Sequence, residues 1–266
     1  MRVILLFISF IFYCSYFAAS QGLVVNYEEI RNLSGANLSQ VDNPQIRAAI
    51  ESRMGPKVTG KATLSVREGK SIYKSVDDAA KKLPNSEGIA EENARGVMNS
   101  QFVSYVPYAF YKNQEDKLLL SQAKIDGKDY LIEGTFTEFD WKIGTEKKEI
   151  SGYQCIRATT KTPKGGDVIA WYTPDIAIND GPLNYWGLPG LILYLELSKG
   201  TFVYSCTSIE QVNDMPEIKP LEGGEKISST DYSKMVAEKM QKLKNIPDED
   251  SRGENSRRWK KVTVIE

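Results

Sequence analysis

The chain has 266 residues, 34 lysines and arginines against 35 aspartates and glutamates, and no histidine. That balance leaves no basic footprint for nucleic acid. The missing imidazole excludes Ser-His-Asp and Cys-His machinery, HExxH zinc sites and histidine-ligated metals.

Residues 1–20 have the form of a secretion signal: Arg2, an apolar run from Val3 to Tyr13, then small residues at Ala18, Ala19 and Ser20. Cleavage after Ser20 leaves Gln21 first. The apolar run is shorter than the roughly 20 residues a transmembrane helix needs. Tyr13 before Cys14 is too bulky for a lipid-attachment motif, so a released product is expected. Residues 21–246 then form one β-rich domain, and 247–266 a flexible charged tail whose Trp259 lies among Arg257, Arg258, Lys260 and Lys261.

Leu23–Ile30 suits an opening strand. Asp42 or Asn43 before Pro44 starts a short helix carrying Ile46, Ala49, Ile50 and Met54, which Gly55-Pro56 ends. Val58–Val66 places Val58, Ala62, Leu64 and Val66 on one face, and Glu68-Gly69-Lys70 turns into Ser71–Val76. Residues 77–100 are polar and without period. Strands resume with Phe102–Tyr111, then Lys117–Ile125, which turns at Asp126-Gly127 into Lys128–Glu133. Phe136–Ile143 continues extended. Glu149–Thr160, Val168–Thr173, Leu191–Ser198 and Thr201–Ile209 follow, with turns at 163–167 and Lys199-Gly200. Connections this short favour antiparallel pairing. A helix begins at Thr230 as N-cap and carries Tyr232, Met235, Val236, Lys239, Met240 and Leu243 on one stripe, with Lys239 its polar exception. The expected class is mainly β (α+β): a curved antiparallel sheet, sandwich or half-barrel, with one or two packed helices.

Two cysteines survive removal of the leader, Cys155 and Cys206. An oxidising compartment favours a disulfide between them. Against it, a plain meander sets them three strand spacings apart, about 14 Å, where a bridge tolerates no more than about 7 Å between Cα atoms. Both states stay open.

Residues 171–193 read WYTPDIAINDGPLNYWGLPGLIL. With Gly152-Tyr153, Cys155 and Ala158 upstream, this stretch resembles the GLPGLI family of envelope proteins from the Bacteroidota, over a core of 139–210. Gly187-Leu188-Pro189-Gly190-Leu191-Ile192 is the intact hexapeptide. Ala177 departs from the pattern, which wants proline there. The resemblance implies an envelope location and is silent on chemistry. From local physics, Gly181, Pro182, Gly187, Pro189 and Gly190 are structural residues, with Pro189-Gly190 expected in a type II turn and Gly190 at positive φ. Trp171, Tyr172, Tyr185, Trp186 and Leu188 are candidates to line an apolar binding mouth, with a plain structural corner as the competing reading. Asp175 and Asp180 read as solvated loop acids.

No catalytic motif, metal set or cofactor loop is present. The expectation is a secreted, periplasmic or outer-membrane-associated binding or assembly protein, not an enzyme, with an envelope protein or an apolar ligand as partner. The alternatives are a periplasmic carrier of a lipophilic ligand, half-barrel in form, and a hydrolase using carboxylates or a lysine-activated serine.

Overall fold

The computed structural model describes residues 21–32, 57–77, 107–125, 127–163 and 165–244. The expected leader, the helix over 43–54, residues 78–106 and the tail lie outside them. Among the described residues twelve strands run in chain order: β1 (Gly22–Asn32), β2 (Lys57–Arg67), β3 (Lys70–Asp77), β4 (Ala109–Asn113), β5 (Leu118–Ile125), β6 (Lys128–Thr135), β7 (Lys142–Ile150), β8 (Tyr153–Lys161), β9 (Asp167–Thr173), β10 (Leu191–Leu197), β11 (Phe202–Val212) and β12 (Glu225–Ser228). One helix, α1 (Ser229–Lys244), follows. All strands join a single open sheet in the order β12-β6-β5-β4-β3-β2-β1-β11-β10-β9-β8-β7. The mainly-β curved sheet with a helix is the fold the sequence predicts.

Two meanders meet at the centre, where β1 pairs antiparallel with β2 on one side and β11 on the other. The short β12 is parallel to β6. Alternation sorts each strand into two faces. One face carries Leu23, Val25 and Tyr27 of β1, Ala62 and Leu64 of β2, Tyr73, Phe110, Val168, Ala170, Tyr172, Leu195 and Tyr204. This inner face is covered by residues 174–190. The other face, with Tyr111, Leu120, Leu131 and Val24, is covered by Met215, Ile218 and Leu221 of the run into β12. Apolar residues on both faces are thus accounted for by two different connections.

The sheet is curved. Lys112 of β4 donates to Gly181 O at 2.8 Å, so the connection between β9 and β10 reaches across the inner face to the other meander. Bulges at Asn26/Tyr27, Lys61/Ala62 and Ile192/Tyr194 supply local bending.

Two readings change. Glu149–Thr160 is not one strand but a hairpin that folds at Ser151 (φ 49) and Gly152 (φ 84). Positive φ at both central residues gives the twist that a two-residue hairpin turn needs. Phe136–Ile143 is not continuously extended in the sheet: residues 136–141 leave it, because Phe136, Phe139 and Trp141 pack against the loop instead. Of Phe102–Tyr111, residues 102–106 lie outside the described residues; β4 begins at Ala109, and Tyr108 already bonds Ser75 and Gln122.

The α1 cap lies two residues before Thr230. Ser228 Oγ accepts from Asp231 N at 3.1 Å and donates to Asp231 Oδ2 at 2.7 Å. Tyr232, Met235 and Val236 dock on Ala123, Ile125, Tyr130 and Ile132, as the stripe predicts. Ser228→Ala should cost about 1 kcal/mol in urea denaturation, whereas Thr230→Ala should cost a few tenths.

Candidate functional site

After Thr173 the chain crosses the inner face and returns as β10. Its first part pairs with the strand it is about to become: Leu191 N donates to Ile176 O at 3.1 Å and Ile192 N to Asp180 O at 3.0 Å. Gly190 N donates to Leu188 O at 2.8 Å, a bond spanning two residues. Pro189 therefore centres a γ-turn, to which its fixed φ is suited, and the type II turn is corrected. The positive φ at Gly190 holds, at 152°. Added carbon there would lie 2.7 Å from the Thr173 carbonyl carbon. Close backbone passage is the reason for this glycine.

Two tryptophans lace the loop to residues 136–141. Trp141 Nε1 donates to Trp186 O and Trp186 Nε1 donates to Thr137 O, both at 2.8 Å. Phe139 stacks on Tyr185 at 4.8 Å, and Phe136 meets Trp186 edge-on at 5.0 Å. Burial pushes the Tyr185 hydroxyl up to about 12.

Of the candidate binding residues, Tyr172, Tyr185 and Leu188 are buried in the main core, and Trp186 is half-buried against Phe136. Trp171 faces away from Tyr172 on β9. Lys148 Nζ stands 4.4 Å from its ring centroid and 4.1 Å from that of Tyr194. The space a lipophilic carrier would need between motif and sheet is occupied by Leu183, Tyr185, Leu188 and Ile192. Gly181 and Pro182 are buried with them, while Gly187 and Pro189 are exposed.

Asp175 is exposed, as expected of a loop acid, but Asp180 is not. Asp180 is 1% exposed and forms an ion pair with Lys112, also 1% exposed. Its Oδ1 also accepts from Gly181 N at 2.7 Å. A lysine whose partner lies on a loop so distant in sequence leaves no local signature.

Cys155 and Cys206 are buried and unbridged, separated by β9 and β10 in the sheet. Burial pushes the Cys155 thiol up to about 11 from 9.0. Between those values the unfolded chain releases this proton first, so stability falls as pH rises from 9.0 towards about 11. Iodoacetamide at pH 8 should leave both native thiols unmodified over a period in which urea-unfolded protein is fully alkylated.

An open groove of about 990 Å³ lies beside the motif, lined by none of its aromatic candidates. One wall is Thr137, Glu138, Phe139 and Asp140. The other is built from Lys142, Arg157, Thr159, Thr160 and Lys161, continued by Asp167, Val168, Ile169, Glu196 and Lys199. Arg157 pairs with Glu146 at 3.2 Å, and Lys161 pairs with Asp167. Sequence reasoning singled out none of these charges, which come from several elements and acquire a common address only through strand register. The lining offers charge and hydroxyl groups, with neither serine nor cysteine. Among the described residues no cluster of acids and cysteines is placed to hold a metal, and no helix is long and apolar enough to cross a membrane.

Residues 160–194 match the family described as "Protein of unknown function (Porph_ging)". The match runs from the end of β8 through the loop into β10, and over that stretch the chain is similar to the family. No curated protein matches the chain. Among solved structures, PNGF-II is similar at 15% identity and a TM-score of 0.47, over 84% of this chain and 33% of that one. The chain thus spans about a third of the length of PNGF-II. An uncharacterised conserved protein from Thermus thermophilus gives 4% identity and a TM-score of 0.36, covering 83% and 97% of the two chains. A DUF1329 family protein from Desulfovibrio piger gives 8% and 0.26, covering 76% and 82%.

Proposed function

We propose that this protein is a secreted, non-catalytic binding or assembly protein of the bacterial envelope, and that the groove beside the motif loop is its contact surface. The observation that carries this reading is the contrast between the two regions. The motif is consumed by internal packing, with Tyr185, Leu188 and Ile192 buried. Beside it stands an open, charged groove of about 990 Å³ with hydroxyl-bearing walls. Such a surface recognises a partner by charge and hydrogen bonding. The motif loop then serves as the scaffold that holds residues 136–141, and hence one wall, in place.

The test is chemical crosslinking at native expression level followed by affinity recovery, with wild type beside a Glu138→Lys, Asp140→Lys variant. A specific envelope protein recovered with wild type and lost with the variant is the expected result. A chain that crosslinks to nothing counts against the proposal. N-terminal sequencing of the extracytoplasmic fraction should begin at Gln21; retention of residues 1–20 would remove the secreted part of the reading.

A further inference from the structure

Three buried polar side chains meet where the motif loop crosses the inner face. Lys112 and Asp180, both buried, are in direct contact. Ser71 lies opposite Lys112 in the β3–β4 register, which sets their Cβ atoms about 5 Å apart on one face. It too is buried, and its hydroxyl is the single buried side-chain polar atom without a hydrogen-bond partner among the described residues. Native interiors leave few such groups.

The peptide groups of Gly181 bracket the pair. Gly181 N donates to Asp180 Oδ1 at 2.7 Å, and Gly181 O accepts from Lys112 Nζ at 2.8 Å. One donor for a carbonyl oxygen and one acceptor for an N–H are the complement of a secondary amide. The acid is fixed from behind as well: Asp180 N donates to Ile178 O at 2.9 Å, and Asp180 O accepts from Ile192 N at 3.0 Å. Burial lowers the Lys112 ammonium from its ordinary value, with Asp180 opposing that shift. The free amine, which is the nucleophilic form, is thereby easier to reach than in water.

We propose that Lys112 and Asp180 condense to an intramolecular isopeptide bond that ties β4 to the connection between β9 and β10. This goes beyond the binding function and does not depend on it. One proton passes from Nζ to Oδ2, giving neutral amine and acid. Nζ then adds to Cγ, while Gly181 N stabilises the charge that grows on Oδ1. A second proton passes from Nζ to the Oδ2 hydroxyl, the Cγ–Oδ2 bond breaks, and one water leaves. Ser71 Oγ, in register beside Lys112, relays this second proton. Ammonium and carboxylate thus become amide and water, with no oxidant or cofactor. The product keeps its N–H on Gly181 O and its carbonyl on Gly181 N. Reactants held in contact gain an effective concentration on the order of 10⁵ M, and a neutral amide removes the desolvation penalty of a buried ion pair. Freshly folded chains carry the ion pair, and the amide accumulates afterwards.

Intact-mass spectrometry of the purified protein tests this, because it reads the wild type directly and needs no folded variant. The expected species is lighter than the calculated mass by one water, and its share should grow when freshly refolded protein is incubated. Trypsin should then release a branched peptide that joins the segments around Lys112 and Asp180, uncut at Lys112. Lys112→Arg should keep the full mass. Ser71→Ala should slow the loss of water about tenfold or more with no loss of stability in urea, since it removes a hydroxyl that bonds nothing. Full mass after prolonged incubation overturns the proposal. Asp180-Gly181 can also lose water alone by closing to a succinimide. A dehydrated species that persists in Lys112→Arg, has no branch and is cleaved by hydroxylamine would be that product, and would overturn the bond to Lys112. Condensation at the wild-type rate in Ser71→Ala overturns the relay.

Discussion

Gly190→Val is expected to cost more than about 4 kcal/mol, a large share of the 5–15 kcal/mol that stabilises a typical domain. Two penalties coincide at this position. The backbone sits at φ 152° with no left-handed tolerance for a branched side chain. A Cβ would also overlap the main chain of Thr173 and come within 3.0 Å of Pro174 Cα. Backbone on the other side of a contact cannot rotate away as a side chain can. The closure of β10 on the start of its own loop, through Leu191 N and Ile176 O, would open. Gly152→Ala supplies the contrast: its φ is 84°, but nothing lies within 4 Å of the added carbon, so strain alone of about 1–2 kcal/mol is expected. Urea denaturation of both variants checks the argument. A valine variant within 1 kcal/mol of wild type would show that the chain passes this corner in some other way.

What the sequence disclosed and what it withheld divide along a physical line. β2 was legible because Val58, Ala62, Leu64 and Val66 alternate against a polar face. The β2–β3 turn was legible because Gly69 suits the positive φ it adopts between two alternating runs. β7 was not, since it is exposed for most of its length and shows no alternation from which to find its end at Ser151. Pro189-Gly190 carries the signature of a type II turn, yet Leu191 N is taken by Ile176 O, and a tertiary hydrogen bond overrides the local preference. Of the candidate side chains, Tyr172, Tyr185 and Leu188 are buried in one core, whereas Trp171 lies on the other side of β9 beside Lys148 and Tyr194. Whether a cluster forms a mouth or a plug depends on how far the sheet curls. That curl is recorded in contacts between β4 and the loop, far apart in sequence. The groove is the extreme case: Glu138, Arg157, Asp167 and Glu196 meet only because four segments converge.

Breaking the buried Lys112–Asp180 pair from one side is the second change expected to be costly. Asp180→Ala is expected to cost about 3–5 kcal/mol, since it strands an ammonium in the core and leaves Gly181 N without its acceptor. Desolvation already lowers the Lys112 ammonium from its ordinary 10.5, with Asp180 opposing that shift. Asp180→Asn keeps an acceptor for Gly181 N but withdraws the opposing charge, so the folded value drops further. Between that value and 10.5 the unfolded chain holds a proton that the folded chain has lost, and stability of the variant should therefore rise with pH across this window. Lys112→Met combined with Asp180→Asn removes the charges together and should recover most of the loss, as buried pairs exchanged for neutral groups often do. The sum of the single costs should exceed the double by more than about 1 kcal/mol. Because the pair ties β4 to the connection between β9 and β10, its loss should also free the loop: amides of Ile178 and Asp180 should exchange faster in Asp180→Asn while those of β2 stay protected. Equal exchange in variant and wild type, or additive costs, would mean that aromatic packing around Tyr185 holds the loop across the sheet without the ion pair.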